Sequence, residues 1–176
     1  MGQAFSTQKA WQAIRPQSAQ VNWFQVVWHP NRIPKHAFCL WLSILGAHKT
    51  RDKLMPLGIV DTASCIFNCG DNENVAHLFI ACTYSRYVWR KVLSFCDIFR
   101  SPLPWLDEIQ WMADHSRVKA LPQKLRKLAF GATIYHIWME RNRRCFRNTF
   151  LPPEDVIRKI QGDVTAKLST IVHDRH

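Results

Sequence analysis

Cys65 and Cys69, separated by Ile66, Phe67 and Asn68, are followed by His77 and Cys82, so three thiols and an imidazole fall within eighteen residues. Cysteine thiolate with neutral imidazole is the usual donor set of a closed, tetrahedral structural zinc site. The spacing predicts a turn between the first two cysteines, with Gly70 supplying a positive φ directly after the second. Gly70 to Ala76 then leads to His77 and Cys82, spaced within the range used by the second ligand pair of zinc fingers. Asp71, Asn72, Glu73 and Asn74 make that connection polar, which favours a surface knuckle over a set of buried thiols beside a core histidine. With all four positions filled by protein, no place remains for water or substrate, so the zinc is expected to hold structure rather than do chemistry.

The rest of the chain has to position this knuckle. Its 176 residues are 47% hydrophobic and include eight tryptophans and ten phenylalanines, enough for one aromatic-rich core, or one core plus a small metal-stapled lobe. Ser6 or Thr7 caps a short helix through Ile14, closed by Pro16. Val21 to Trp28 is too short for periodicity to choose between strand and helix. Lys35 to Leu45 reads as a buried helix with Gly46 at C′, and Thr50 as the cap of a helix from Arg51 to Leu57 that Gly58 ends. Asn74 or Glu73 begins a helix carrying His77, and Thr83 caps another from Tyr84 to Phe95, with Cys82 at the junction. Residues five apart on an uninterrupted helix differ by about 140° in azimuth, so His77 and Cys82 converge more easily if the helix ends or tightens there.

Trp105 to Asp114 reads as a short helix, Pro122 to about Arg147 as a long amphipathic one, and Pro152-Pro153-Glu154-Asp155 as a break that starts a last helix. The expected fold is therefore mainly α: a small helical domain with an inserted Cys3His zinc knuckle and a long basic amphipathic helix near the C-terminus. Three units are expected: a zinc-binding module over 5–95, a linker and short helix over 96–121, and the basic and C-terminal helices over 122–176 packed on the module.

A net charge of +11 and a pI near 9.8 favour an anionic partner, RNA or DNA first and an acidic membrane surface second. Lys124, Lys127, Arg141, Arg143, Arg144 and Arg147 lie on the polar surface of the long helix and are the candidates for phosphate contact, against the plainer reading of a solvated helix face. Phe67, in the knuckle, is the candidate exposed aromatic, whereas Trp28, Trp41, Trp89 and Trp138 fall on apolar faces and read as core. Cys39, Cys96 and Cys145 sit among apolar neighbours and read as core thiols. With no apolar signal-peptide core and no membrane-spanning run, a nuclear or cytoplasmic protein is expected, neither secreted nor membrane-bound. Met1 to Ser6 fits the minimal N-myristoylation pattern. A polymerase needs carboxylates that hold two metal ions, and the chain has no Asp-Asp pair, no Gly-rich phosphate loop, no Gly-x-Ser-x-Gly elbow and no histidine pair spaced for a catalytic metal. The acids of Asp107-Glu108 and Glu154-Asp155 sit at helix starts, where the helix dipole explains them. No enzymatic activity is expected.

The ordered motifs Trp28-His29-Pro30-x2-Ile33-Pro34-Lys35-His36-Ala37-Phe38-x-Leu40-Trp41, Thr50-Arg51-Asp52-Lys53-Leu54, Cys65-x3-Cys69-Gly70, Glu73-x3-His77-Leu78-Phe79-x2-Cys82 and Val88-Trp89 resemble the zinc-binding domain of reverse transcriptases from plant non-LTR retrotransposons, over about Phe5 to Phe95. Ile137-Trp138-x2-Arg141-Asn142 is similar to the segment that follows this domain in those elements. The resemblance implies zinc on Cys65, Cys69, His77 and Cys82 and a part in handling the element's nucleic acid. Family members commonly have two residues between the first cysteines, where this chain has three. Their Gly-x2-Phe-Ser start is similar to Gly2, Phe5 and Ser6, which accounts for the acylation match. The function these features imply is a non-catalytic, zinc-stabilised nucleic-acid-binding module derived from a retroelement. The alternative is a protein-interaction or regulatory adaptor of the same origin.

Overall fold

Pro34 opens the first substantial helix among the described residues, at a first-turn position where a missing backbone N–H costs no helical hydrogen bond. The computed structural model describes residues 21–116 and 120–173; the helix expected between Ser6 and Ile14 lies outside them. Among the described residues there is no strand, and the elements in chain order are α1 (Phe24–Val27), α2 (Pro34–Ile44), α3 (Arg51–Leu54) with a 3₁₀ turn (Met55–Leu57), a π-turn (His77–Ala81), α4 (Thr83–Phe95), α5 (Trp105–Asp114), α6 (Leu121–Arg147) and α7 (Pro153–His173). The ambiguous apolar stretch after Val21 is thus a single helical turn.

Helix ends follow the local chemistry. At the end of α2, Gly46 (φ 62°) donates its N–H to Ser43 O and Ala47 donates to Leu42 O, the paired bonds that close a helix through a left-handed C′ residue. Gly58 (φ 66°) stops the 3₁₀ turn in the same conformation. Thr50 does not cap α3 with its side chain, because its hydroxyl turns to Asp52. Glu73 takes that role from a distance: its Oε1 accepts the Arg51 N–H at 3.0 Å, and its carbonyl accepts the Asp52 N–H at 3.1 Å.

α6 is the spine of the core. Its middle, from Leu128 to Ile134, is buried on every azimuth, as a helix must be when neighbours cover it all round, with α2 and α7 its largest contacts. Trp89 of α4 packs on Phe130 at 5.3 Å between ring centroids, and Phe79 of the π-turn stacks on Trp105 of α5 at 5.7 Å. α5 buries Trp105, Ile109, Met112 and Ala113 in this core. Trp28, Trp41 and Trp138 pack against the same cluster from partly buried positions. Cys39 and Cys96 are buried, and burial pushes both thiols up to about 12, so they are inert packing groups. No described helix is long and apolar enough to cross a membrane.

Candidate metal centre

The first two cysteines sit on a short hairpin. Cys65 donates its N–H to Asp71 O at 2.8 Å, and Glu73 donates to Ala63 O at 2.7 Å, around the antiparallel bridge Ser64–Asn72. The turn between them closes through Asn68 N–H to Cys65 O at 3.0 Å, with Asn68 at φ 55° and Gly70 at φ 94°. The positive φ expected at Gly70 is present. Asn68 takes a second left-handed position, which Asn tolerates, and so the three-residue spacing closes into a tight knuckle.

The second pair is positioned by a change of helical pitch. Asn74 Oδ1 accepts the His77 N–H at 2.9 Å, capping the turn that carries the imidazole. The backbone then widens, and Cys82 donates its N–H to His77 O at 2.8 Å, an i→i+5 bond. The helix does end at Cys82, as expected, but it widens rather than tightens before it does so, which draws Cys82 toward the His77 side. Such π-turns are rare and recur at functional sites. Leu78, Phe79 and Ile80, buried between the two donors, anchor the turn in the core. Cys82 (φ −57°, ψ 135°) then leaves the helix and serves as N-cap of α4 in place of Thr83.

These elements bring together all four expected donors. The Cys65, Cys69 and Cys82 sulfurs and a His77 ring nitrogen lie within 4.8 Å of one another. Cys65 Sγ is 3.8 Å from Cys82 Sγ, and Cys69 Sγ is 3.1 Å from His77 Nε2. A tetrahedron with Zn–S bonds of about 2.3 Å has S–S edges of about 3.8 Å, whereas a disulfide needs about 2.05 Å. The six cysteines are free thiols. The donor set and its spacing fit zinc. His77 Nδ1 faces the Asp71 carboxylate at 4.0 Å, the kind of outer partner that orients a ligating imidazole. The hydrogen bond from Cys65, helped by the N–H groups of Ser85 and Tyr84, holds the Cys82 thiol down to about 5, and the same bond, then burial, pushes Cys65 up.

The knuckle is clamped to α6 by two arginines that are among the phosphate-contact candidates. Arg141 is only 3% exposed and donates from Nε (3.1 Å) and Nη2 (2.9 Å) to Oε1 of the fully buried Glu73. It also reaches Lys49 O and lies over the Trp138 ring. Arg144 pairs with Glu140 at 2.8 Å and lies over both Phe67 and Tyr84. Neither arginine is free for a ligand. Lys127 is withdrawn as well, buried and donating to Ser116 O. Phe67 is no exposed platform: it is 8% exposed and stacks on Tyr84 at 4.4 Å. Lys124 and Arg143 remain part-exposed and Arg147 exposed, although Arg143 Nε is 3.3 Å from the buried Glu140. The fold also brings His36 of α2 and His136 of α6 to Asp163 of α7, a pairing that sequence spacing does not show.

Residues 5–89 match the family described as zinc-binding in reverse transcriptase. This part of the chain is similar to that family. No curated protein and no solved structure matches the chain. All four donors lie inside the segment that matches the reverse transcriptase zinc-binding family, while Arg141, which clamps them, lies outside it.

Proposed function

We propose that this chain is a non-catalytic nucleic-acid-binding module of retroelement origin, stapled by one zinc on Cys65, Cys69, His77 and Cys82. Zinc there supplies a cross-link between the hairpin, the π-turn and the start of α4. Phosphate contact is carried by a different surface from the knuckle. An open cleft of about 720 Å³ runs beside α6 and α7, lined by Lys35, Arg143, Arg147 and Lys159 against one carboxylate, Asp163. Phe146, at its wall, is 79% exposed and replaces Phe67 as the aromatic on which a base stacks. This cationic cleft beside an exposed ring is the observation that carries the reading, because phosphate neutralisation plus stacking is how single strands are held without sequence preference. Lys124 extends the basic surface along α6. Such a module works in the nucleus or cytoplasm, where the nucleic acid of an element is handled.

Fluorescence anisotropy against single-stranded RNA, an RNA hairpin, single-stranded DNA and duplex DNA across a salt series tests this. Replacing both Arg143 and Arg147 by Glu should flatten the slope of log affinity against log salt by about 1.4–1.8. An unchanged slope contradicts the cleft. A second reading, docking of a protein segment, is favoured by one observation: an apolar groove of about 650 Å³ with Ile44, Val75, Ala76, Pro104 and Leu106 in its lining. A salt-insensitive partner complex that survives the arginine reversals would support it.

A further inference from the structure

Three helices that meet at the floor of the cationic cleft each contribute one metal-binding side chain. His36 Nε2 lies 3.2 Å from Asp163 Oδ2, and His136 Nε2 lies 2.9 Å from the same oxygen. One donor atom from each of the three residues fits within 4.8 Å of the others. Bonds of about 2.0–2.2 Å to nitrogen and oxygen place neighbouring ligand atoms about 2.8–3.1 Å apart in an octahedral shell and about 3.3–3.6 Å apart in a tetrahedral one, a range that brackets the 2.9 and 3.2 Å contacts at Asp163 Oδ2. His36 is 2% exposed, and neither of its ring nitrogens has a hydrogen-bond partner among the described residues. Its Nε2 is nonetheless in ion-pair contact with Asp163, and His136 Nε2 hydrogen-bonds the same oxygen, so two imidazoles converge on one carboxylate oxygen while His36 Nδ1 is left unsatisfied in the core. His136 and Asp163 line the cleft, which leaves the remaining coordination positions open to solvent.

We propose that His36, His136 and Asp163 form a second metal site, distinct from the knuckle, that takes a zinc-like divalent transition ion through two imidazoles and one carboxylate with open positions facing the cleft. Two nitrogen donors select against magnesium and calcium, which demand oxygen-rich shells. The cationic rim of Lys35, Lys159 and Arg147 opposes a bare dication, so this site is weaker than the thiolate knuckle and fills second.

Cobalt(II) titration of the intact chain separates the two sites by their spectra. The first equivalent should bring intense thiolate-to-cobalt charge transfer from the knuckle. The second should add only weak ligand-field absorption, and nitrogen-15 NMR of the zinc-loaded chain should show the Nε2 resonances of His36 and His136 shifted by the metal. His136→Gln and Asp163→Asn, both nearer the surface than His36, should weaken the second equivalent at least about tenfold and leave the charge-transfer band intact. Saturation at one equivalent would overturn the proposal, as would a second equivalent of unchanged affinity in both variants. Retained charge transfer in each variant shows that it is folded, so either result is decisive.

Discussion

Replacing Arg141 by Met tests whether the long helix is locked to the metal knuckle through one buried ion pair. Glu73 Oε1 accepts three N–H groups, two from Arg141 and one from the Arg51 backbone, and both side chains are removed from water, at 0% and 3% exposure. Without the guanidinium, the carboxylate stays buried with only a backbone amide. Breaking one partner of such a pair costs about 3–5 kcal/mol. The double replacement Glu73→Gln with Arg141→Met removes both charges and should cost less than the sum of the single replacements, with a coupling of about 1–3 kcal/mol. Urea denaturation at saturating zinc, with the slope m checked for constancy, reads these values. A loss below about 1 kcal/mol for Arg141→Met, or strict additivity in the cycle, would refute the clamp. Its nucleic-acid salt slope should be unchanged, since Arg141 cannot reach solvent.

Phe67→Ala should cost about 3 kcal/mol or more in stability, from lost packing on Tyr84 and Arg144, while the folded variant binds nucleic acid as before; weakened binding at full stability would restore Phe67 as a stacking residue. Burial, then the charges of Lys127, Arg32 and Lys167, lowers His29 to about 3, and burial lowers His48 to about 4. Both folded values lie below the ordinary 6.5, so the unfolded chain takes up these protons first. Their contribution is intact above about pH 6.5 and is lost as pH falls toward the folded values, by about 1.4 kcal/mol per unit for each histidine. The His29 and His48 imidazole NMR signals of the folded protein should stay flat down to about pH 5, and a midpoint near 6.5 for either ring would contradict this.

The knuckle was legible because its chemistry is local. Cys65, Cys69, His77 and Cys82 declare themselves by type and spacing, and Gly46, Gly58 and Pro153 mark chain punctuation at the places where α2, the 3₁₀ turn and α7 stop or start. The π-turn was not legible, because widening a helix by one residue depends on burying Leu78, Phe79 and Ile80, not on any local propensity. The burial of Arg141 and the pairing of Arg144 are hidden from the sequence for a related reason. A charged residue on a helix is expected to face water unless a partner is buried with it, and Glu73, 68 residues away in sequence, is such a partner. The motif containing Glu73 and the later one containing Arg141 thus form one physical unit. His36, His136 and Asp163 were invisible in the same way, since each comes from a different helix. Phe67 looked exposed because its neighbours in sequence are polar, whereas its neighbours in space are Tyr84 and Arg144.

The most direct test of the account is the zinc content of the intact chain by native mass spectrometry, before and after Cys82→Ser, with hydrogen exchange followed over residues 63–82. The account predicts a tightly held zinc that resists mild chelation and disappears in the variant, with exchange rising across the hairpin and π-turn while the middle of α6 stays protected. A chain that carries no tightly bound zinc, or whose exchange over 63–82 is the same with the metal stripped, would contradict it.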